Sequence, residues 1–181
     1  FTGTLAHGCS TTDTLLIDVN PLPTLTHGGD QTICQGDTVQ IEAFGGITFN
    51  WISPDSINDP SVSNPLVWPD TTTICQVLVS DVNTCEDTTE ITVFVNPKPN
   101  IDAGLDQFIC IGDSTSLSAS GNAITYTWDN GVLDGVNFLV SSDQQYILTG
   151  TDANNCVNSD TVYISVIQLP NIDAGNDVSI C

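Results

Sequence analysis

Positive charge is almost missing from this chain, which carries one lysine, Lys98, and no arginine against 22 acidic residues, for a formal net charge of −21. The scarcity excludes nucleic acid and anionic membrane as partners, because both are held by Lys and Arg that neutralise phosphate. No apolar run is long enough for a transmembrane helix and no signal-peptide pattern is visible, so direct membrane insertion is not expected. Among seven cysteines there is no C-x-x-C pair, and His7 and His27 have no matched partners. Zinc is therefore disfavoured, and disulfides formed in an oxidising compartment are expected. No segment keeps a helical period over about ten residues. What is present is Asp, Thr, Ser, Val and Ile interleaved along the whole length, the vocabulary of strands and turns.

The chain repeats itself. Asp30-Gln31-Thr32-Ile33-Cys34-Gln35-Gly36-Asp37 returns as Asp106-Gln107-Phe108-Ile109-Cys110-Ile111-Gly112-Asp113, and again as Asn176-Asp177-Val178-Ser179-Ile180-Cys181. The early cysteines Cys34, Cys110 and Cys181 are 76 and then 71 residues apart. The late cysteines Cys9, Cys85 and Cys156 keep the same two intervals, as do Pro23, Pro99 and Pro170. Three markers in one register define a tandem array. The array reads as the end of one repeat over 1–21, complete repeats over 22–97 and 98–169, and the start of another over 170–181.

Within each repeat, short alternating runs separated by Gly, Asn and Asp predict an antiparallel sandwich. The second repeat reads as strands near 101–110, 114–119, 124–129, 137–141, 145–151 and 158–167. The first reads as strands over 38–43, 48–52, 66–68, 74–80 and 88–95. Trp51 and Trp128, in Thr-Phe-Asn-Trp and Thr-Tyr-Thr-Trp, are expected in the two cores. Trp68 has no aromatic counterpart; the spacing sets Ser141 opposite it, and an exposed or interface position is expected. The predicted fold class is all-β: tandem immunoglobulin-like β-sandwich repeats arranged end to end.

The frame Pro-x-x-x-Ala-Gly-x-Asp-x-x-Ile-Cys-x-Gly-Asp-Ser, followed by Tyr-Thr-Trp, Thr-Asp-Ala-Asn-Asn-Cys and Ser-Asp-Thr-Val, resembles the PKD-like and immunoglobulin-like repeats of giant cell-surface proteins of Bacteroidota. These include gliding-motility adhesins and other substrates of type IX secretion. The resemblance covers the whole chain and departs from the family at Cys75, which stands where Tyr146 stands, and at Asp81-Val82-Asn83-Thr84 in place of Asp-Ala-Asn-Gly. It implies a non-catalytic stalk or spacer segment of a secreted, extracellular adhesin or filament at the cell surface. The partners it implies are neighbouring repeats of the same chain and, beyond those, other copies in a filament, surface polysaccharide, or the secretion and motility machinery. It also implies O-glycosylation. Seven Asp-Ser/Thr tripeptides with a permitted third residue resemble the sequon of that phylum and place sugar on Thr14, Thr38, Ser56, Thr71, Thr88, Ser114 and Thr161. Ordinary turn-to-strand grammar explains the same tripeptides.

The other function classes are weaker. No acid–base pair or nucleophile stands out among residues that turns already explain, so no catalytic residue and no enzyme activity are expected. No cofactor is expected apart from calcium, the alternative being a carbohydrate- or calcium-binding module in which Asp102, Asp106 and Asp152 approach one another. Cys75, without a counterpart, is expected as a buried free thiol, with an intermolecular bridge as the rival.

The remaining cysteines leave several pairings open. Within-repeat bonds would join Cys34 to Cys85 and Cys110 to Cys156. Sequence neighbours Cys9–Cys34, Cys85–Cys110 and Cys156–Cys181 are each 25 apart. In a seven-strand sandwich the early and late turns lie at opposite ends, roughly 20 Å or more apart, whereas a disulfide needs Cα atoms within about 7 Å. That geometry favours a junction staple, Cys34 with Cys156. The partners of Cys9, Cys85, Cys110 and Cys181 would then lie in further repeats.

Overall fold

In the computed structural model, which describes residues 1–179, the chain is all β, with no helix among the described residues. The strands are β1 (Thr2–Thr4), β2 (Ser10–Thr12), β3 (Thr26–His27), β4 (Gln31–Cys34), β5 (Val39–Gln40), β6 (Ala43–Phe44), β7 (Thr48–Trp51), β8 (Leu66–Val67) and β9 (Thr73–Ser80). They continue as β10 (Glu86–Asn96), β11 (Ile101–Asp102), β12 (Gln107–Cys110), β13 (Ser114–Thr115), β14 (Ser120–Gly121), β15 (Thr125–Trp128), β16 (Phe138–Leu139), β17 (Gln144–Thr151) and β18 (Val157–Ile167). Two compact units form. One holds Phe1–Gln31 and Thr38–Phe94; the other holds the short segment Thr32–Asp37 together with the chain from Val95.

Each repeat builds the same immunoglobulin-like sandwich. In the first repeat a four-stranded sheet of order β4-β10-β9-β7 is accompanied by the pairs β3·β6 and β5·β8. In the second, β12-β18-β17-β15 is accompanied by β11·β14 and β13·β16. The long strands follow the period-two rule of a half-buried sheet. On β9, Cys75, Val77 and Val79 are buried while Ile74, Gln76 and Leu78 face away; on β17, Tyr146, Leu148 and Gly150 take the inward places. Trp51 and Trp128 are only 4% and 5% exposed, each inside its own core.

The strand expected over 101–110 is broken into β11 and β12, which belong to different sheets. The backbone turns at Ala103-Gly104, where Gly104 has φ +82°, Ala103 N–H donates to Asp160 Oδ2 and Gly104 N–H donates to Asp102 Oδ1. β11 then pairs antiparallel with β14, whereas β12 runs parallel to β18, so the first strand closes both layers of the sandwich. Of the strand expected over 114–119 only Ser114–Thr115 forms, as β13, and β14 begins beyond that range at Ser120. Gly45 and Gly121 are demanded by close approach in both repeats: a Cβ would sit 2.2 Å from Thr24 O and 2.1 Å from Asn100 O, at φ +109° and +130°.

The two sandwiches differ on one flank. Each tryptophan indole anchors the connection that follows it, Trp51 Nε1 donating to Val62 O eleven residues on and Trp128 Nε1 to Asp134 Oδ1 six residues on. The longer connection of the first repeat uses its extra length to lay Ile57 antiparallel beside Val67 on the free edge of β8. The shorter one turns back on itself, Val132 N–H to Asp129 O and Val136 N–H to Leu133 O. β16 has β13 as its neighbour on one side and no strand on the other among the described residues. Because the deletion precedes β16, the ladder corrects the position opposite Trp68. Val39 pairs with Val67 and its counterpart Thr115 with Phe138, so Leu139 and not Ser141 occupies the place of Trp68. Trp68 is 42% exposed.

Candidate functional site

The chemistry-bearing residues lie in two kinds of turn. At the early turn the carbonyl of the cysteine accepts the N–H of the aspartate three residues later, Asp37 to Cys34 and Asp113 to Cys110. A left-handed glycine, Gly36 or Gly112, makes the reversal possible. At the late turn the residue just before the cysteine is left-handed in all three copies: Gly8, Thr84 and Asn155. In the two complete repeats an aspartate organises that turn. Asp81 Oδ1 accepts from Asn83 N and Cys85 N at 2.8 and 2.9 Å, and Asp152 Oδ1 accepts from Asn154 N and Cys156 N at 2.9 Å each. These bonds fix the direction in which each late cysteine leaves its turn.

Cys34 and Cys156 are joined in a disulfide with a Cα–Cα distance of 5.5 Å across 122 residues of sequence. Beside it Gln35 N–H donates to Asn96 O at 2.8 Å. This bond takes one cysteine from each within-repeat pair, Cys34–Cys85 and Cys110–Cys156, and one from each of the neighbour pairs Cys9–Cys34 and Cys156–Cys181. Cys85 and Cys110 are free thiols, Cys85 half-buried and Cys110 exposed, and Cys9 is free and exposed. Cys181 lies outside the described residues. The reason is the one strand alternation supplies: early and late turns of one sandwich face opposite ways along their strands.

Cys75 is a free thiol with no exposed surface, among Val77, Ile91 and Val93 of the first core. Burial pushes its pKa from 9.0 up to about 11, so at neutral pH it is a small apolar filler where the second repeat places Tyr146.

The structure does not bring Asp102, Asp106 and Asp152 together as ligands. Asp102 accepts from Gly104 N and from Ser120 Oγ, Asp106 accepts from Tyr163 N, and Asp152 holds its own turn. Among the described residues no three His, Cys, Asp or Glu side chains gather into a metal-ligating group. The same use of carboxylates recurs in both repeats, with Asp30 accepting from Thr92 N and Asp143 from Val166 N. Sequence reasoning missed this role. The acidity serves largely as side-chain acceptors for backbone N–H groups that the irregular strand ends leave unpaired. Asp160 shows its effect, its pKa lowered by hydrogen bonds from Ala103 N–H and then Thr161 N–H. Of the sequon residues, Thr14, Thr38, Thr71, Thr88, Ser114 and Thr161 are exposed, while Ser56 is half-buried because its carbonyl receives Trp68 N–H at the edge of β8.

No family model and no curated protein matches the chain. Among solved structures it is similar to the insect immune protein hemolin, at 15% identity and TM-score 0.46, over 87% of this chain and 49% of that one. A titin I-band fragment, I67–I69, is similar at 11% identity and TM-score 0.37 over 82% and 67% of the two chains. Immunoglobulin domains 1–4 of Sidekick-1 are similar at 19% identity and TM-score 0.33 over 77% and 49%. The chain spans about half the length of hemolin.

Proposed function

We propose that this chain is a non-catalytic spacer segment of a secreted cell-surface adhesin or extracellular filament, of the kind that the resemblance to Bacteroidota surface repeats implies. The observation that carries the reading is the Cys34–Cys156 bond, which links the early turn of one repeat to the late turn of the next. Carried along the register, the same rule pairs Cys85 and Cys9 with early turns of preceding repeats, and Cys110 and Cys181 with late turns of following ones. The exposure of Cys9 and Cys110 is consistent with partners of that kind. Short Pro-containing connections, Asn20-Pro21-Leu22-Pro23, Asn96-Pro97-Lys98-Pro99 and Gln168-Leu169-Pro170, limit the freedom between repeats. Net charge of one sign opposes lateral association of such segments. The carboxylates engaged with backbone N–H groups support a structural use of the acidity over catalysis or calcium binding.

Pulling the chain from its two ends tests the mechanical part. With the bridge closed, force passes from Cys34 to Cys156 and the residues between are shielded; reduction should release roughly 400 Å of additional extension, at about 3.4 Å per residue. Equal extension with and without reductant would overturn it. Immunogold labelling of intact cells tests the location, and labelling only after permeabilisation would rule the surface out.

A further inference from the structure

The two sandwiches differ where β8 and β16 end their sheets. Beside β8 lies the chain's own Ser56-Ile57-Asn58. Trp68 N–H donates to Ser56 O at 3.1 Å, Asn58 N–H donates to Leu66 O at 3.1 Å, and the Asn58 side chain accepts Leu66 N–H at 2.8 Å. Ile57 thus sits on Val67 as a one-residue added strand. The second repeat has the receiving edge and lacks the cover.

Thr115 meets Phe138 in the register in which Val39 meets Val67, so ladder alternation turns the backbone groups of Asn137 and Leu139 away from β13, as it turns those of Leu66 and Trp68 away from β5. Alongside that edge lies an open cleft of about 430 Å³, lined by Val132, Leu133, Val136, Leu139 and Tyr146 with amide groups at Asn130, Asn137 and Gln144. None of the lining residues is charged, although the chain carries 22 acids. Leu133 and Leu139 are 67% and 73% exposed. Exposed apolar side chains beside an unpaired edge are the features by which a sheet accepts an extended peptide.

We propose that the edge of β16 and its cleft bind an extended peptide in which one β-branched aliphatic residue stands between two small uncharged polar residues, held as Ser56-Ile57-Asn58 is held on β8. The bound strand receives Leu139 N–H on the carbonyl preceding the aliphatic residue and donates the following N–H to Asn137 O. Its aliphatic side chain enters the cleft. This adds a recognition function to the spacer and does not depend on it: a failed peptide test leaves the mechanical reading intact.

Hydrogen exchange and peptide titration of the full, isotopically labelled chain test the proposal. In the free chain the Trp68 amide is expected to be protected and the Leu139 amide to exchange at least tenfold faster; equal protection would overturn the open edge. Titration with acetyl-Gly-Ser-Ile-Asn-Gly-amide is expected to shift and protect the Leu139 amide. The same peptide N-methylated at the Asn nitrogen should bind at least tenfold more weakly, since it lacks the donor to Asn137 O. Equal binding of the methylated peptide, or shifts at these amides with a neutral disaccharide and none with the peptide, would refute strand addition. Transplanting the ten residues between Trp51 and Val62 in place of the five between Trp128 and Asp134 should cover the edge and abolish the shifts.

Discussion

Thr84 offers a sensitive test of how the late turns are built. It sits at φ +64° and its counterpart Asn155 at +62°. The surrounding bonds match closely: Thr84 N–H to Asp81 O at 3.1 Å against Asn155 N–H to Asp152 O at 3.2 Å, and Asp81 N–H to Cys85 O at 3.0 Å against Asp152 N–H to Cys156 O at 3.1 Å. With the bonds equal, the identity of the left-handed residue is the main difference. An L-residue in that region is disfavoured by roughly 1–2 kcal/mol, and a β-branched side chain is the least suited, whereas Asn tolerates it. Thr84→Asn should therefore stabilise the first repeat by about 1 kcal/mol, which for a domain of this size raises the melting temperature by roughly 4–8 °C. Thr84→Gly relieves the same crowding, but the unfolded chain gains freedom worth roughly 0.5–1 kcal/mol, so its gain should be smaller. Asn155→Thr should destabilise the second repeat by a similar amount. Differential scanning calorimetry of the three variants decides it. A lower melting temperature for Thr84→Asn, or a higher one for Asn155→Thr, would refute the conformational account.

The buried Cys75 thiol should resist iodoacetamide at pH 8 in the folded chain and react fully in denaturant; rapid labelling of the native protein would contradict its burial. Its raised pKa means that the unfolded chain loses its proton first, so this group's contribution is intact below pH 9.0 and is lost as pH rises towards about 11, a loss that Cys75→Ala should remove from alkaline melts. Asp160 acts in the opposite direction. Its lowered pKa stabilises the fold above the ordinary carboxylate range, and the contribution disappears as pH falls through the folded value. Asp160→Asn should therefore flatten the acid limb of the melting curve, and an unchanged limb would exclude that role. Intact-mass spectrometry of native material should show hexose-containing adducts on the exposed Thr14, Thr38, Thr71, Thr88, Ser114 and Thr161, with half-buried Ser56 the least occupied; a bare polypeptide mass would remove the sugar.

The sandwich was legible in the sequence because period-two runs such as Thr-Ile-Cys-Gln-Val-Leu-Val-Ser recur at fixed intervals with turn residues between them, and because Trp51 and Trp128 keep the same place in both copies. The break at Ala103-Gly104 was not, since the chain is redirected there by left-handed Gly104 and by bonds from Ala103 N–H to Asp160 and from Gly104 N–H to Asp102, the first of which joins residues distant in sequence. The added strand at Ile57 was hidden for another reason. Ser56-Ile57-Asn58 lies between prolines and has no periodicity, so its place depends on the backbone bonds it makes with Leu66 and Trp68 rather than on any strand pattern of its own. Thr84 was legible as a turn residue between the strands expected over 74–80 and 88–95, but its left-handed backbone was not, because a β-branched residue is ill suited to that region. The aspartates looked like solvated turn residues or ligands, and their function as acceptors for backbone N–H groups appears only when the pairing is known.

The span of the Cys34–Cys156 bond also sets an order of events in biogenesis. Cys34 lies early in its own repeat, and its partner arrives 122 residues later, after almost the whole of the following sandwich. Until then Cys34 must stay reduced while Cys85 arrives first and has to be refused. The folded sandwich makes that refusal by keeping the early and late turns of one repeat apart, so correct oxidation follows folding. A chain of such repeats would close behind the point of synthesis or export, always one module late, and its newest module would always carry an open thiol.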